Sequence, residues 1–181
     1  MMVANEEIIG RKKLKINLNE FDSPQLYFAI RIRGAPGMSK KNEDTLKMLR
    51  MNRINHGVLI WGVKSQLGML LKVNSYICFG EVDKKTLVRL LRTRGKVEGN
   101  NPLTDEYLQK YTDYKNIKDL ANNLYEGKIK YSNKNIHKIK PLFRLHPPKG
   151  GHLGSIKKHY NEGGTLGYIG AYINQLIQKM I

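Results

Sequence analysis

Lys85, Arg89, Arg92 and Lys96 recur at i, i+4, i+7 and i+11, the spacing that lines side chains along one edge of a helix, and no acidic residue interrupts them. Like charges so placed repel one another, and a merely solvated face usually intersperses Glu to relieve that repulsion. The pattern therefore points to contact with phosphates. Arg31, Arg33, Arg50, Arg53, Arg89, Arg92 and Arg144 suit such contact best, because a guanidinium fork reaches two phosphate oxygens at once. Lys40, Lys47, Lys85, Lys149, Lys157 and Lys158 add point charges, and His146 lies among them as a further RNA contact. Tyr160 and Tyr168 stand close to Lys157 and Lys158 in a glycine-rich stretch, a combination suited to stacking on exposed bases.

Other chemistries find less support. His146, His152 and His159 are six and seven residues apart, with no Cys or carboxylate between them, whereas zinc sites pair such histidines with close-spaced Cys or i, i+4 geometry. No metal and no cofactor is expected. Gly164, Gly167 and Gly170 match neither the dinucleotide fingerprint nor a P-loop. Glu43, Asp44, Asp105 and Glu106 fall near helix starts, where the dipole explains them. Cys78, between Ile77 and Phe79, reads as a buried apolar residue, and as the single cysteine it excludes an internal disulfide. His56 reads as a satisfied turn residue. No constellation reads as an active site, so an enzyme is not expected, and no small-molecule substrate is implied.

The charge of the whole chain agrees. Thirty-two Lys and Arg against 15 Asp and Glu leave +17 on 181 residues, with a pI near 9.9. Such an excess destabilises a compact fold unless a polyanion relieves it, and nucleic acid is the commonest such partner. Four blocks, at residues 11–15, 31–53, 84–96 and 127–161, hold 26 of the 32 cations. Basic residues interleaved with glycine and aromatics suit an irregular folded RNA better than a regular duplex; a DNA-binding architectural protein shares the composition and stands as the alternative. An RNA-processing enzyme is a third class. A membrane surface would call for a basic amphipathic helix with large exposed apolar residues, which is not found. No run approaches the roughly 20 apolar residues of a membrane span, and residues 1–10 lack a signal-peptide core, so a soluble intracellular protein is expected.

The elements that position these residues read as follows. Leu26–Arg33 is aromatic and β-branched, with a second half alternating apolar residues and Arg, which predicts a strand with one buried and one charged face. Ser39 to about Asn52 predicts a helix, Val58–Trp61 a strand, Ser65 to Asn74 a helix and Tyr76–Phe79 a strand. This β-α-β-α-β order closes most simply as a three-stranded antiparallel sheet with helices on one face, an α+β fold. A helix from Asp83, as N-cap, to Gly95 follows, then helical pieces at Leu103–Lys110 and Ile117–Glu126. The predicted units are an N-terminal extension (1–25), the core (26–82), a helical segment (83–127) and a basic Gly-rich arm (128–181). That arm ends in a helix, Ala171–Met180, able to dock on the body. Residues 128–170 carry too little apolar surface to fold alone and are expected to be an extended arm ordered by a partner.

Several stretches resemble a known family in collinear order from about Leu26 to Met180: Ala29-Ile30-Arg31-Ile32-Arg33-Gly34, Glu43-Asp44-Thr45-Leu46-Lys47-Met48-Leu49-Arg50, Arg53-Ile54-Asn55-His56, Gly99-Asn100-Asn101-Pro102-Leu103-Thr104-Asp105-Glu106-Tyr107 and, most specifically, Phe143-Arg144-Leu145-His146-Pro147-Pro148-Lys149-Gly150-Gly151. They are similar to the archaeal-type large-subunit ribosomal protein thirty family, whose eukaryotic relatives are called large-subunit protein seven. The resemblance implies a core related to ferredoxin-like folds, a place in the large ribosomal subunit of the cytoplasmic ribosome, binding to large-subunit rRNA near the 5S rRNA, neighbouring ribosomal proteins as partners, and a structural role in translation. It implies that Arg31, Arg33, Arg50, Arg53, Arg144, Lys149 and Lys157 face rRNA. Two departures stand out: Ile169 follows Gly-Tyr where the family often has Arg, and residues 1–25 match nothing in the family pattern.

Overall fold

A computed structural model describes residues 25–129, 131 and 138–181. The N-terminal extension up to residue 24, with its basic block at 11–15, lies outside the described residues.

The expected core order is present: β1 (Leu26–Arg31), α1 (Lys40–Met48), β2 (His56–Trp61), α2 (Lys64–Lys72) and β3 (Ile77–Glu81). β1 pairs antiparallel with β2 through Phe28↔Leu59 and with β3 through Phe28↔Gly80, so it is the central strand. All six of its residues are buried. Leu26, Phe28 and Ile30 face one apolar cluster while Tyr27 and Ala29 face another. With no polar side, β1 requires cover on both faces.

The structure corrects the expected architecture here. Helices lie on both faces rather than one. Leu46 of α1 and Leu67 and Leu70 of α2 pack with Tyr27 and Ala29. On the opposite side the cover comes from α3 (Lys84–Arg94), α5 (Ile117–Tyr125) and α6 (Tyr172–Met180), through Leu87, Leu90, Leu91, Leu120, Leu124, Ile173, Leu176 and Ile177. α4 (Asp105–Tyr111) contributes Leu108 to the same cluster.

The sheet is also larger than three strands. β4 (Phe143–Arg144), β5 (Ser155–His159) and β6 (Gly164–Tyr168) extend it to six, in the order β4-β2-β1-β3-β6-β5. β4 pairs antiparallel with β2, whereas β6 is parallel to β3 and β5 is parallel to β6. Residues 138–181 are therefore not an extended arm. They lack a core of their own and complete that of the body instead: Phe143, Leu145, Leu166 and Ile169 are buried. Glycine permits the junction, since a Cβ on Gly80 would collide with the backbone of Gly170.

The charged helix α3 matches its predicted limits closely. Asp83 occupies the N-cap position without a side-chain cap. Its backbone N–H instead donates to Asn174 Oδ1 at 2.8 Å, and Asn174 Nδ2 donates to the Glu81 carbonyl at 2.9 Å, which ties α6 to the start of α3. Gly95 ends α3 with φ −60°, outside the left-handed region; it is needed because a side chain there would strike the Leu91 carbonyl.

Candidate nucleic-acid interface

Two cationic groups are built on rigid elements. The first is the outer face of α3. Leu87, Leu90 and Leu91 are fully buried on its inner side, which leaves Lys85, Arg89 and Arg92 exposed to solvent on the other. Lys96 follows beyond the helix end and is half-buried. Three of the four members of the predicted stripe are thus accessible on a helix that is anchored at its start by Asn174.

The second group surrounds the start of β2, where His56 lies opposite Arg144 of β4. Arg31, predicted on a charged strand face, is 4% exposed. Its guanidinium donates to the carbonyls of Arg33 at 2.9 Å, Met51 at 2.9 Å and Asn52 at 3.0 Å. The Arg31 guanidinium is thus committed to backbone carbonyls rather than presented on the expected charged strand face, and it pins the loop carrying Arg50 and Arg53 over the end of β1. Both of these are exposed, and Arg50 holds the chain reversal with φ 61°. Arg33 is partly exposed, donating to the Ser75 carbonyl at 3.3 Å with its guanidinium carbon 5.3 Å from the Tyr76 ring centre.

His56, which the sequence places in a turn, sits within this group. Its Nδ1 accepts from the Arg53 N–H at 3.4 Å. Burial, then the Arg144, Arg53 and Arg31 charges, holds the imidazole below the usual histidine range. Because the folded pKa is lowered, the unfolded chain takes up a proton first as the pH drops, so the contribution of His56 to stability is complete above about pH 6.5 and is lost as the pH falls towards the lowered value. Phosphates docking on Arg53 and Arg144 would cancel the repulsion. We expect an NMR titration of His56 to move to higher pH when folded rRNA is added; an unmoved titration in a saturated complex would remove this cluster from the interface.

The remaining predicted residues divide. Lys149 is exposed, and His146 and Lys149 are fixed by backbone N–H donation to the carbonyls of Met180 and Lys179, both at 2.9 Å, so the Leu-His-Pro-Pro-Lys segment is bound along the end of α6. Lys157 and Lys158 are exposed on β5, the edge strand. Lys40 is exposed, and Lys47 pairs with Glu43 at 2.9 Å. The two tyrosines are placed differently. Tyr160 is buried at 2% exposure, packed near Tyr172, so its ring cannot stack on a base. Tyr168 is half-buried, and its hydroxyl donates to Glu81 at 2.5 Å. Cys78 is buried in the sheet, and burial pushes its thiol well above the ordinary range, which agrees with an inert apolar role.

Comparison with known proteins accords with this arrangement. Residues 27–77 match the family described as ribosomal protein L30p/L7e. Proteins named large ribosomal subunit protein uL30 align over most of the chain. That of Staphylothermus marinus is 48% identical over 166 residues, covering 87% of this chain and 99% of the relative. That of Hyperthermus butylicus is 47% identical over 167 residues, covering 87% and 91%. That of Methanobrevibacter smithii is 44% identical over 156 residues, covering 86% and 100%. Identity at this level over nearly whole relatives means that the chain belongs to the uL30 family of large-ribosomal-subunit proteins, a structural and non-enzymatic family.

Proposed function

We propose that this structural constituent of the large subunit binds and stabilises folded rRNA by neutralising phosphates, in the cytoplasmic ribosome, and that it lies near the 5S rRNA with other ribosomal proteins as neighbours. The observation that carries the rRNA reading is the α3 face: Lys85, Arg89 and Arg92, exposed and without an interspersed acid, on a helix whose inner side is fully buried. The group of Arg50, Arg53, His56 and Arg144 supplies a second contact region, and Lys149, Lys157 and Lys158 a third. Arg33, Lys40, Lys47 and His146 stand at its margins. Arg31 supports the loop of the second region from beneath. The position beside the 5S rRNA rests on the family resemblance alone.

Each phosphate neutralised releases condensed counterions, which sets the slope of log affinity against log salt. Reversing Arg89 and Arg92 to Glu removes two exposed cations without touching the core. The double variant should keep its melting temperature and flatten the slope for large-subunit rRNA by about two units. A slope equal to the wild type would return α3 to a solvated outer face.

A further inference from the structure

A cleft of about 300 Å3 opens between the end of α2 and the β5–β6 connection, lined by residues that include Asn74, His159, Glu162, Leu166, Gly167 and Tyr168. Leu166 lies beneath its floor, 1% exposed. The Tyr168 ring is fixed at two points, by the Phe79 ring 5.7 Å away and by the hydroxyl bond to Glu81. Gly167 has φ 82°, and a Cβ there would lie 3.0 Å from the His159 ring; glycine thus leaves bare backbone along that side. Lys157 and Lys158 are exposed on the strand that ends at His159.

Glu162 is the exceptional residue. It is the sole acid from residue 127 to residue 181, a stretch with ten Lys and Arg, and it is exposed on the rim of the cleft. A carboxylate in a phosphate-binding surface repels the ligand. It becomes favourable if what enters the cleft presents hydrogen-bond donors, since an ionised carboxylate only accepts. In RNA those donors are the ribose 2′-hydroxyls and the base edges, and within a chain only a base edge offers two side by side. Guanine offers two in parallel, N1–H and the N2 amino group, which match the two oxygens of one carboxylate; adenine and cytosine offer a single amino group and uracil a single imide N–H. The Watson–Crick edge becomes reachable when a base is splayed from a loop or bulge, where an aromatic ring and apolar side chains can pack on its face.

We propose that this cleft takes one unpaired guanine of the rRNA, with Glu162 accepting from N1–H and the N2 amino group, the exposed edge of Tyr168 against the ring, and Lys157 and Lys158 on the flanking phosphates. This rests on the rRNA-binding reading above and adds to it a base-specific site. The two accounts of Glu162 predict opposite signs. Glu162→Ala should bind folded large-subunit rRNA about tenfold more weakly than the wild type, the cost of losing one bidentate base contact, with the salt slope unchanged. If Glu162 only repels phosphate, the same variant binds more tightly; tighter or equal binding overturns the cleft. The base is identified with short oligouridylates carrying one central guanosine, or inosine, which lacks the N2 amino group. The wild type should favour guanosine several-fold and Glu162→Ala should not; equal binding of the two probes by the wild type also overturns the proposal. Failure of the wild type to bind large-subunit rRNA at all overturns the reading beneath it, whereas rRNA binding that is indifferent to Glu162 overturns the cleft alone.

Discussion

A chain ending at Gly127 should show no cooperative unfolding transition. The residues removed include Phe143, Leu145, Leu166, Ile169, Ile173, Leu176, Ile177 and Met180, all buried. At about 2 kcal/mol for each large apolar side chain taken out of water, their loss amounts to roughly 16 kcal/mol. That equals or exceeds the 5–15 kcal/mol by which domains are typically stable. The cut also uncovers the face of β3 that carries Cys78, and leaves the inner face of α3 without α6. Thermal melts followed by circular dichroism decide the matter, and a truncated chain with a sharp melt would show that the C-terminal strands are dispensable. Deletion of residues 128–181 is also expected to abolish association with the large subunit, but unfolding alone would do so. Point variants on exposed cations therefore carry the functional argument.

Arg31→Met should lower the melting temperature by roughly 10 °C. Three carbonyls, those of Arg33, Met51 and Asn52, lose their donor together. Leaving a buried acceptor unmade costs about 1–3 kcal/mol, offset in part because a buried charge is also removed. A net loss of about 3 kcal/mol corresponds to that shift for a chain of this size. The loop carrying Arg50 and Arg53 should loosen as well, so rRNA affinity falls without any phosphate contact having been deleted. Arg53→Met, by contrast, should leave the melt within about 2 °C, since Arg53 is exposed. A melt for Arg31→Met within that same margin would show that the three hydrogen bonds do not hold the loop.

These two expectations also mark what was legible in the sequence. The limits of α3 follow from local signals, the Leu87, Leu90 and Leu91 stripe and Gly95, and they hold within a residue or so. The order of the first five elements follows from alternating apolar runs and turn residues. The alternation of Arg31 with Ile30 and Ile32 resembles a solvated strand face; that three carbonyls converge on its guanidinium is a tertiary fact with no local trace. The strands of the tail leave as little local trace. β4 is two residues long and β6 is joined to β3 through Cys78↔Gly167 and Phe79↔Tyr168, so their stability comes from strands 86 to 89 residues earlier in the chain. Composition records the glycines that allow the close approach, not the approach itself. The proximity of His56 to Arg144 has no local trace, because the two meet only through the β2–β4 register. Glu162 had a signal that could be read at once, a solitary carboxylate in a strongly basic stretch.

The direct test of the account is the binding of the intact protein to folded large-subunit rRNA and to duplex DNA of matched length, each followed across a range of salt concentrations. We expect affinity for the rRNA to fall steeply with salt, with a slope of several units, and to exceed that for DNA at every concentration. A shallow slope, or equal affinity for the duplex, would contradict the claim that the surplus cations are arranged to neutralise a folded RNA.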